Sequence, residues 1–324
     1  MFYPSERKSV REGSAFINIY TSHVLTRELP VFYNPLMKIN RDISILLLAA
    51  WPFKNNAFTF CDPLAGSGVR GIRIAKEVPT LSKNSPHIII LGDSNLHAVA
   101  AIKKNLSTNS LSFSSFKKAQ AHNKTHNQKY NQKNKKRILV ARDDANNLLT
   151  ECRGVHVIDI DPFGSPNPFL DTALRVIARN GLLAITATDT APLAGTSPKT
   201  CMRKYWAVPE RSDSMHEYGI RILIRKAQLV ASQYDKALIP ILSYWGGHYY
   251  RVWFVAKKGR QAADNLLAHH KTIPSSLKGG QPVGPLWAGQ MNDKKLLRSM
   301  IRCAGTKNAA RAISPETATL LNTL

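Results

Sequence analysis

Asp161-Pro162-Phe163-Gly164 ends an apolar run, Val155 to Ile160, by placing a carboxylate, a rigid turn and an aromatic ring in succession. An exocyclic amine on a nucleobase is a poor nucleophile because its lone pair is delocalised into the ring. A carboxylate and a nearby backbone carbonyl can accept its two N–H hydrogen bonds. That arrangement favours a pyramidal nitrogen and stabilises the positive charge that grows as the amine attacks an activated methyl group. The proline fixes the turn and positions its carbonyl, and the ring can stack on a base pulled from its helix. Asp161, Pro162 and Phe163 are therefore the catalytic candidates. Asp159 lies two residues earlier on the same strand face and is an acidic rival, set back within the strand body. The plain structural alternative is a strand-ending turn, which Asp-Pro and Phe-Gly also suit.

A ligand loop precedes this turn. Gly66, Gly68 and Gly71 follow the run AFTFCD, which ends at Asp62, and open a helical segment. Glycines at this spacing allow a tight turn and close approach of a ligand to backbone N–H groups. The pattern by itself fits a nicotinamide dinucleotide as well as S-adenosyl-L-methionine. Asp93 ends the next strand, where a carboxylate can accept from both hydroxyls of a ribose, a group that both ligands share. Asp143-Asp144-Ala145 follows a third strand. A carboxylate there can accept from an adenine amine while the alanine leaves room for the ring, or the pair can cap a helix.

The elements that must hold these residues alternate. Strands are expected at 57–62, 87–93, 138–141, 155–160 and 182–186, with helices over Ile72 to Val78, Asn95 to Leu106 and residues 168–181 between them. Apolar strands separated by helices imply a parallel sheet covered on both faces. After a long helix, Met215 to Tyr234, the runs ALIPILSY and YYRVWFVA flank WGGH and read as a hairpin. A parallel sheet that ends in an antiparallel hairpin resembles class I methyltransferases rather than dehydrogenases. The expected fold is thus a Rossmann-like α/β methyltransferase domain over residues 1–258, with a mostly parallel seven-stranded sheet, and a small C-terminal extension over 259–324. Residues 1–40 look mixed and irregular. Residues 107–137, rich in Asn, Lys, Gln and His, are expected to be a flexible basic insertion that touches RNA phosphates or serves as filler.

Composition narrows the partner. Among 324 residues, 45 are Lys or Arg and 21 are Asp or Glu, a net charge of +24 that predicts attraction to a polyanion. Cys61, Cys152, Cys201 and Cys303 form no C-x-x-C pair, so no metal site is expected and a reducing cytoplasm fits. The longest apolar stretch, Ile43 to Trp51, is too short to span a bilayer, and the N-terminus lacks an apolar signal core.

Six segments together resemble the tRNA (guanine-26, N2)-dimethyltransferase family: VFYNPLMKINRD (31–42), Asp62 to Arg73, RDDAN (142–146), IDPFGSP (160–166), TATDTAPLAG (186–195) and MRKYWAVP (202–209). The resemblance spans roughly residues 25–255 and implies S-adenosyl-L-methionine as cofactor and tRNA as partner. It further implies that Arg41 contacts the methionine carboxylate and that Asp62, Gly66, Gly68 and Arg70 form the cofactor loop. Asp93 would bind ribose, and Asp144 and Ala145 would hold adenine. Asp161 would be the catalytic acceptor, with Phe32 and Phe163 flanking the guanine. The chain departs from the family pattern in its basic insertion and in lacking the four-cysteine zinc site of some relatives. Two other readings are a non-catalytic RNA-binding protein on a methyltransferase scaffold and a nicotinamide-dependent oxidoreductase. The acidic and aromatic site argues against the first, and the DPFG turn with the terminal hairpin argues against the second.

Overall fold

The computed structural model describes residues 6–21, 31–117 and 137–324. The chain divides into two compact units, Met1–Glu151 with Lys295–Leu324, and Cys152–Lys294.

The first unit opens with a hairpin, β1 (Glu6–Glu12) and β2 (Ala15–Thr21), where an irregular segment was expected. Gly13, at φ +57°, makes the turn, and alternation then sends Ala15, Ile17 and Ile19 into the core. Helix α1 (Lys38–Ala50) is buried along most of its length and ends before Pro52. Strand β3 (Ala57–Asp62) leads to α2 (Val69–Leu81), β4 (Ser85–Asp93) to α3 (Leu96–Thr108), and β6 (Arg137–Arg142) to α4 (Ala145–Glu151). With the short β5 (Phe113–Ser115), these strands are parallel in the order β5-β6-β4-β3. Ile88 to Leu91 are buried in an unbroken run, as a strand covered on both faces requires.

Asn105 of α3 and Asn109, which caps its C-terminus, substitute for a neighbouring strand along β2. Asn109 Oδ1 accepts from Phe16 N and its amide donates to Phe16 O, while Asn105 Oδ1 accepts from Asn18 N. The edge of the hairpin is thereby closed without a third strand.

In the second unit β7 (Val155–Ile160) is followed by α5 (Asn167–Val176) and by β8 (Ile177–Ala187), parallel to β7. The helix expected to run to Gly181 stops at Val176, because Ile177 already pairs with Val155 and Asn180 takes φ +59°. Two short helices, α6 (Thr190–Leu193) and α7 (Pro198–Tyr205), precede the long α8 (Met215–Ser232). Strands β9 (Lys236–Trp245) and β10 (Tyr250–Lys258) form the expected hairpin, with β10 antiparallel to both β8 and β9. Pro240 is tolerated because β9 is the edge strand of the order β7-β8-β10-β9. Helix α9 (Arg260–Leu267) and the pair β11 (His270–Ile273) and β12 (Val283–Trp287) complete this unit.

Apart from the β1–β2 and β11–β12 pairs, the described strands number eight, four parallel in the first unit and four mixed in the second, where a seven-stranded sheet was expected. The additional one, β5, lies within the stretch 107–137 that was expected to be flexible. Residues 118–136 of that stretch fall outside the described residues. The C-terminal helices α10 (Lys294–Ala304) and α11 (Pro315–Thr323) follow, and α11 packs on α1 in the first unit. There Ser314 N and Thr317 Oγ1 both donate to Asp42 Oδ2, at 2.9 and 3.0 Å.

Candidate active site

In the first unit, the turns at the carboxyl ends of β3, β4 and β6 lie together. Asp62 is buried at the end of β3, and its Oδ1 accepts from Leu64 N at 3.2 Å. The loop then folds back: Ala65 N donates to Gly92 O at 2.8 Å and Gly66 N donates to Asp93 Oδ2 at 2.9 Å. Gly66 and Gly68 take φ of +54° and +77°, conformations that glycine adopts without a Cβ clash. Gly71 serves packing instead, since a Cβ there would lie 2.4 Å from Leu91 Cδ2.

Asp93 closes this loop. Its second oxygen accepts from Asn95 N at 2.9 Å. Burial pushes its carboxyl above the ordinary carboxylate range, against the opposing pull of the Asn95, Gly66 and Ser94 N–H groups. A partly desolvated acceptor beside a left-handed glycine turn fits the diol of a nucleoside. Asp143 N donates to Asp93 O at 3.2 Å, which ties the ends of β4 and β6. Asp144 is exposed and caps α4, accepting from Asn146 N at 2.8 Å, and Ala145 is buried behind it. The acceptors and the small residue thus have the chemistry that S-adenosyl-L-methionine would need.

The two arginines of this region are buried and engaged. Arg70 Nη1 donates to Asn40 Oδ1 and Ser44 Oγ, both at 2.9 Å. Arg41 grips Glu12 through Nε at 2.6 Å and Nη2 at 2.5 Å, and also donates to Asn34 O. Burial would lift the Glu12 carboxyl, but Arg41 and Arg73 outweigh it and hold the group at about 2. Glu12 had no signal in the sequence, because it lies in the hairpin that was read as irregular. Phe32 is half-buried, and its carbonyl oxygen lies 3.3 Å from where a Cβ on Gly66 would sit.

In the second unit, Asp161 is the first residue after β7 and is half-buried; Pro162 is buried, and Phe163 is 45% exposed. Gly164, at φ +82°, locks the turn to the end of β8: its N–H donates to Thr188 Oγ1 at 2.6 Å and its carbonyl accepts from Thr188 N at 2.9 Å. Beyond it a relay fixes the loop. Ser165 Oγ lies 3.0 Å from Tyr205 Oη, which donates to Asp189 Oδ1 at 2.6 Å, and Lys204 pairs with Asp189 Oδ2 at 3.1 Å. Burial first, and then the Asp189 charge, push the Tyr205 hydroxyl far above its usual range, so it remains a donor. Thr188, Asp189 and Tyr205 were not singled out in the sequence. Their signal was present, since all three fall in the TATDTAPLAG and MRKYWAVP segments.

Asp159, the rival carboxylate, is fully buried and held by Arg251 Nη1 at 2.8 Å and Nη2 at 2.7 Å, with Thr186 Oγ1 also on Nη1. Among the described residues no three His, Cys, Asp or Glu side chains gather as a metal site would require. None of the described helices is long and apolar enough to cross a membrane.

An α/β architecture with a mostly parallel sheet, glycine- and aspartate-bearing turns at its carboxyl strand ends and antiparallel strands at its close is that of a Rossmann-like methyltransferase. The model of the family described as N2,N2-dimethylguanosine tRNA methyltransferase matches residues 13–277. A tRNA (guanine(26)-N(2))-dimethyltransferase of Methanococcus maripaludis is 36% identical over 319 residues, covering 94% of this chain and 78% of the relative. One from Pyrococcus horikoshii is 37% identical over 316 residues, covering 93% and 78%. The solved structure of Trm1 from Pyrococcus horikoshii with S-adenosyl-L-methionine has a TM-score of 0.79 at 34% identity, and covers 97% of this chain and 82% of that one. The chain belongs to the N2,N2-dimethylguanosine tRNA methyltransferase family.

Proposed function

We propose that this protein transfers one or two methyl groups from S-adenosyl-L-methionine to the exocyclic N2 of guanine 26 in tRNA, and that it does so in the cytoplasm. The observation that carries the reading is the DPFG turn, with its carboxylate and exposed ring, in a chain of this family. The basic excess supports a tRNA partner.

S-adenosyl-L-methionine supplies an electrophilic methyl group on a sulfonium. In this reading Asp93 accepts from the ribose hydroxyls, and Gly66 and Gly68 leave the backbone open beside them. Asp62 and Arg70 brace that loop, Asp144 and Ala145 take the adenine, and Arg41 meets the methionine carboxylate. For Arg41 this requires sharing its charge with Glu12, which already occupies two of its donors.

Asp161 and the Pro162 carbonyl accept the two N–H bonds of the guanine amine. They hold the nitrogen lone pair toward the methyl carbon; as the N–C bond forms the C–S bond breaks, S-adenosylhomocysteine leaves, and Asp161 stabilises the cationic nitrogen and takes its proton. Phe163 stacks on the purine, and Phe32 is assigned to the same base on the resemblance alone. Thr188, Ser165 and Tyr205 position the turn.

Nucleoside mass spectrometry of an unmodified tRNA transcript incubated with the cofactor tests the reading. The wild-type chain should yield N2-methylated guanosines. Asp161→Ala should lose turnover by about 100-fold or more while still binding the cofactor. Undiminished turnover in that variant would overturn the assignment.

A further inference from the structure

The second unit carries an aromatic pair that the proposed reaction does not use. Trp245 ends β9 and is 40% exposed. The imidazole of His216, in the first turn of α8, stacks on its indole with centroids 3.5 Å apart and planes 13° from parallel. His216 Nδ1 in turn lies 3.0 Å from the hydroxyl of Tyr250, which is fully buried. Gly219, one turn further along α8, gives that hydroxyl its room, since a Cβ there would come within 3.0 Å of it. Burial pushes His216 below its usual range, so the pair presents a flat and uncharged surface near neutral pH.

The platform shares a sheet end with the DPFG turn. Ile160 pairs with Ile185 and Ala187 with Tyr250, and Tyr250 pairs with Trp245. Trp245 therefore stands three strand spacings from the end of β7, about 14 Å across the same edge. That separation is too large for Trp245 to touch a base held against Asp161. It is right for a nucleotide near that base on the same strand.

A large ring left exposed, with one face braced by a second ring, is preorganised for a planar partner. In a chain with a net charge of +24 the planar partner supplied by the substrate is a nucleobase. We infer that the Trp245–His216 pair is a stacking platform for an unpaired nucleotide of the tRNA substrate other than the methylated guanine. The inference rests on the proposed tRNA reading. The platform grips without reading sequence, because every base offers a π-face.

Filter binding of an unmodified tRNA transcript tests it. Trp245→Ala should weaken binding by about tenfold or more, and Trp245→Phe should restore most of the loss. The slope of log Kd against log salt should stay at its wild-type value, because no phosphate contact is removed. The urea midpoint of the variant should be unchanged, which shows that it is folded, and cofactor affinity should stay at its wild-type value. Wild-type affinity for the transcript in Trp245→Ala would overturn the platform. So would an equal loss of affinity for a fully paired RNA duplex, or a loss of cofactor binding in step with RNA binding. Failure of methyl transfer by the wild-type chain would count against the proposed reaction alone, since the Kd comparison needs no turnover.

Discussion

Asp159 lies within β7 and Asp161 just beyond its end, and the surroundings of the two carboxylates differ. Asp159 is sealed in the core, and its charge is balanced by the bidentate Arg251. Asp161 sits where the strand ends and solvent reaches it. Removing one partner of a buried pair leaves the other charge uncompensated, at a cost of about 3–5 kcal/mol. Asp159→Ala should therefore lower the unfolding free energy by an amount of that order. Asp161→Ala, at a half-buried strand end, should lower it by less than Asp159→Ala does. Urea titrations of the two variants separate the structural carboxylate from the proposed catalytic one. Equal destabilisation would remove the distinction.

Among the elements, the turn from β3 into α2 shows how one loop meets two demands. Gly66 and Gly68 satisfy a backbone requirement, because their φ values suit no side chain well. Gly71 is helical, and alanine there would gain about 1 kcal/mol of helix propensity. The added methyl would, however, lie 2.4 Å from the Leu91 side chain, which is fully buried. Overpacking of this kind costs about 1–3 kcal/mol, so the clash outweighs the propensity gain. Gly71→Ala should lower stability by up to about 2 kcal/mol in urea unfolding, and higher stability would show that Leu91 moves aside. The alternation of strands and helices around this loop was legible in the sequence because apolar periodicity is a local property. The β1–β2 hairpin was not, since its edge is satisfied by Asn105 and Asn109, some ninety residues further along the chain.

On the scale of the whole molecule, the first unit is held by a buried ionic cluster. Arg73 is fully buried between Glu12 of the hairpin, Asp42 of α1 and Glu77 of its own helix, and it donates to Ala312 O from the C-terminal segment. Arg41 and Lys38 complete three cations against three anions. Glu12 is the group whose titration reports on the cluster, with its carboxyl held at about 2 against an ordinary value of 4.5. Because the folded value is the lower one, the unfolded chain takes up a proton first as the pH falls. The stabilisation is complete above about pH 4.5 and is lost progressively toward pH 2. Glu12→Gln should cost about 3–5 kcal/mol at pH 7 and should flatten the fall in stability between pH 4.5 and 2. Denaturant unfolding at a series of pH values measures both effects, and an unaltered pH dependence in the variant would assign the acid sensitivity to other groups.

The sequence by itself determined the alternation of strands and helices, the glycine loop with its downstream carboxylates, the DPFG turn and the closing hairpin. Each is written in short-range spacing, where glycine, proline and apolar periodicity act directly on the backbone. Only the tertiary structure decided which charges are spent on holding the fold. Arg41 and Arg73 meet Glu12, Asp159 meets Arg251, and the C-terminal segment docks on Asp42. A charged residue has the same local pattern whether its partner is bulk water or a buried ion. The difference lies in desolvation and in partners tens to hundreds of residues away, which only the folded chain brings together.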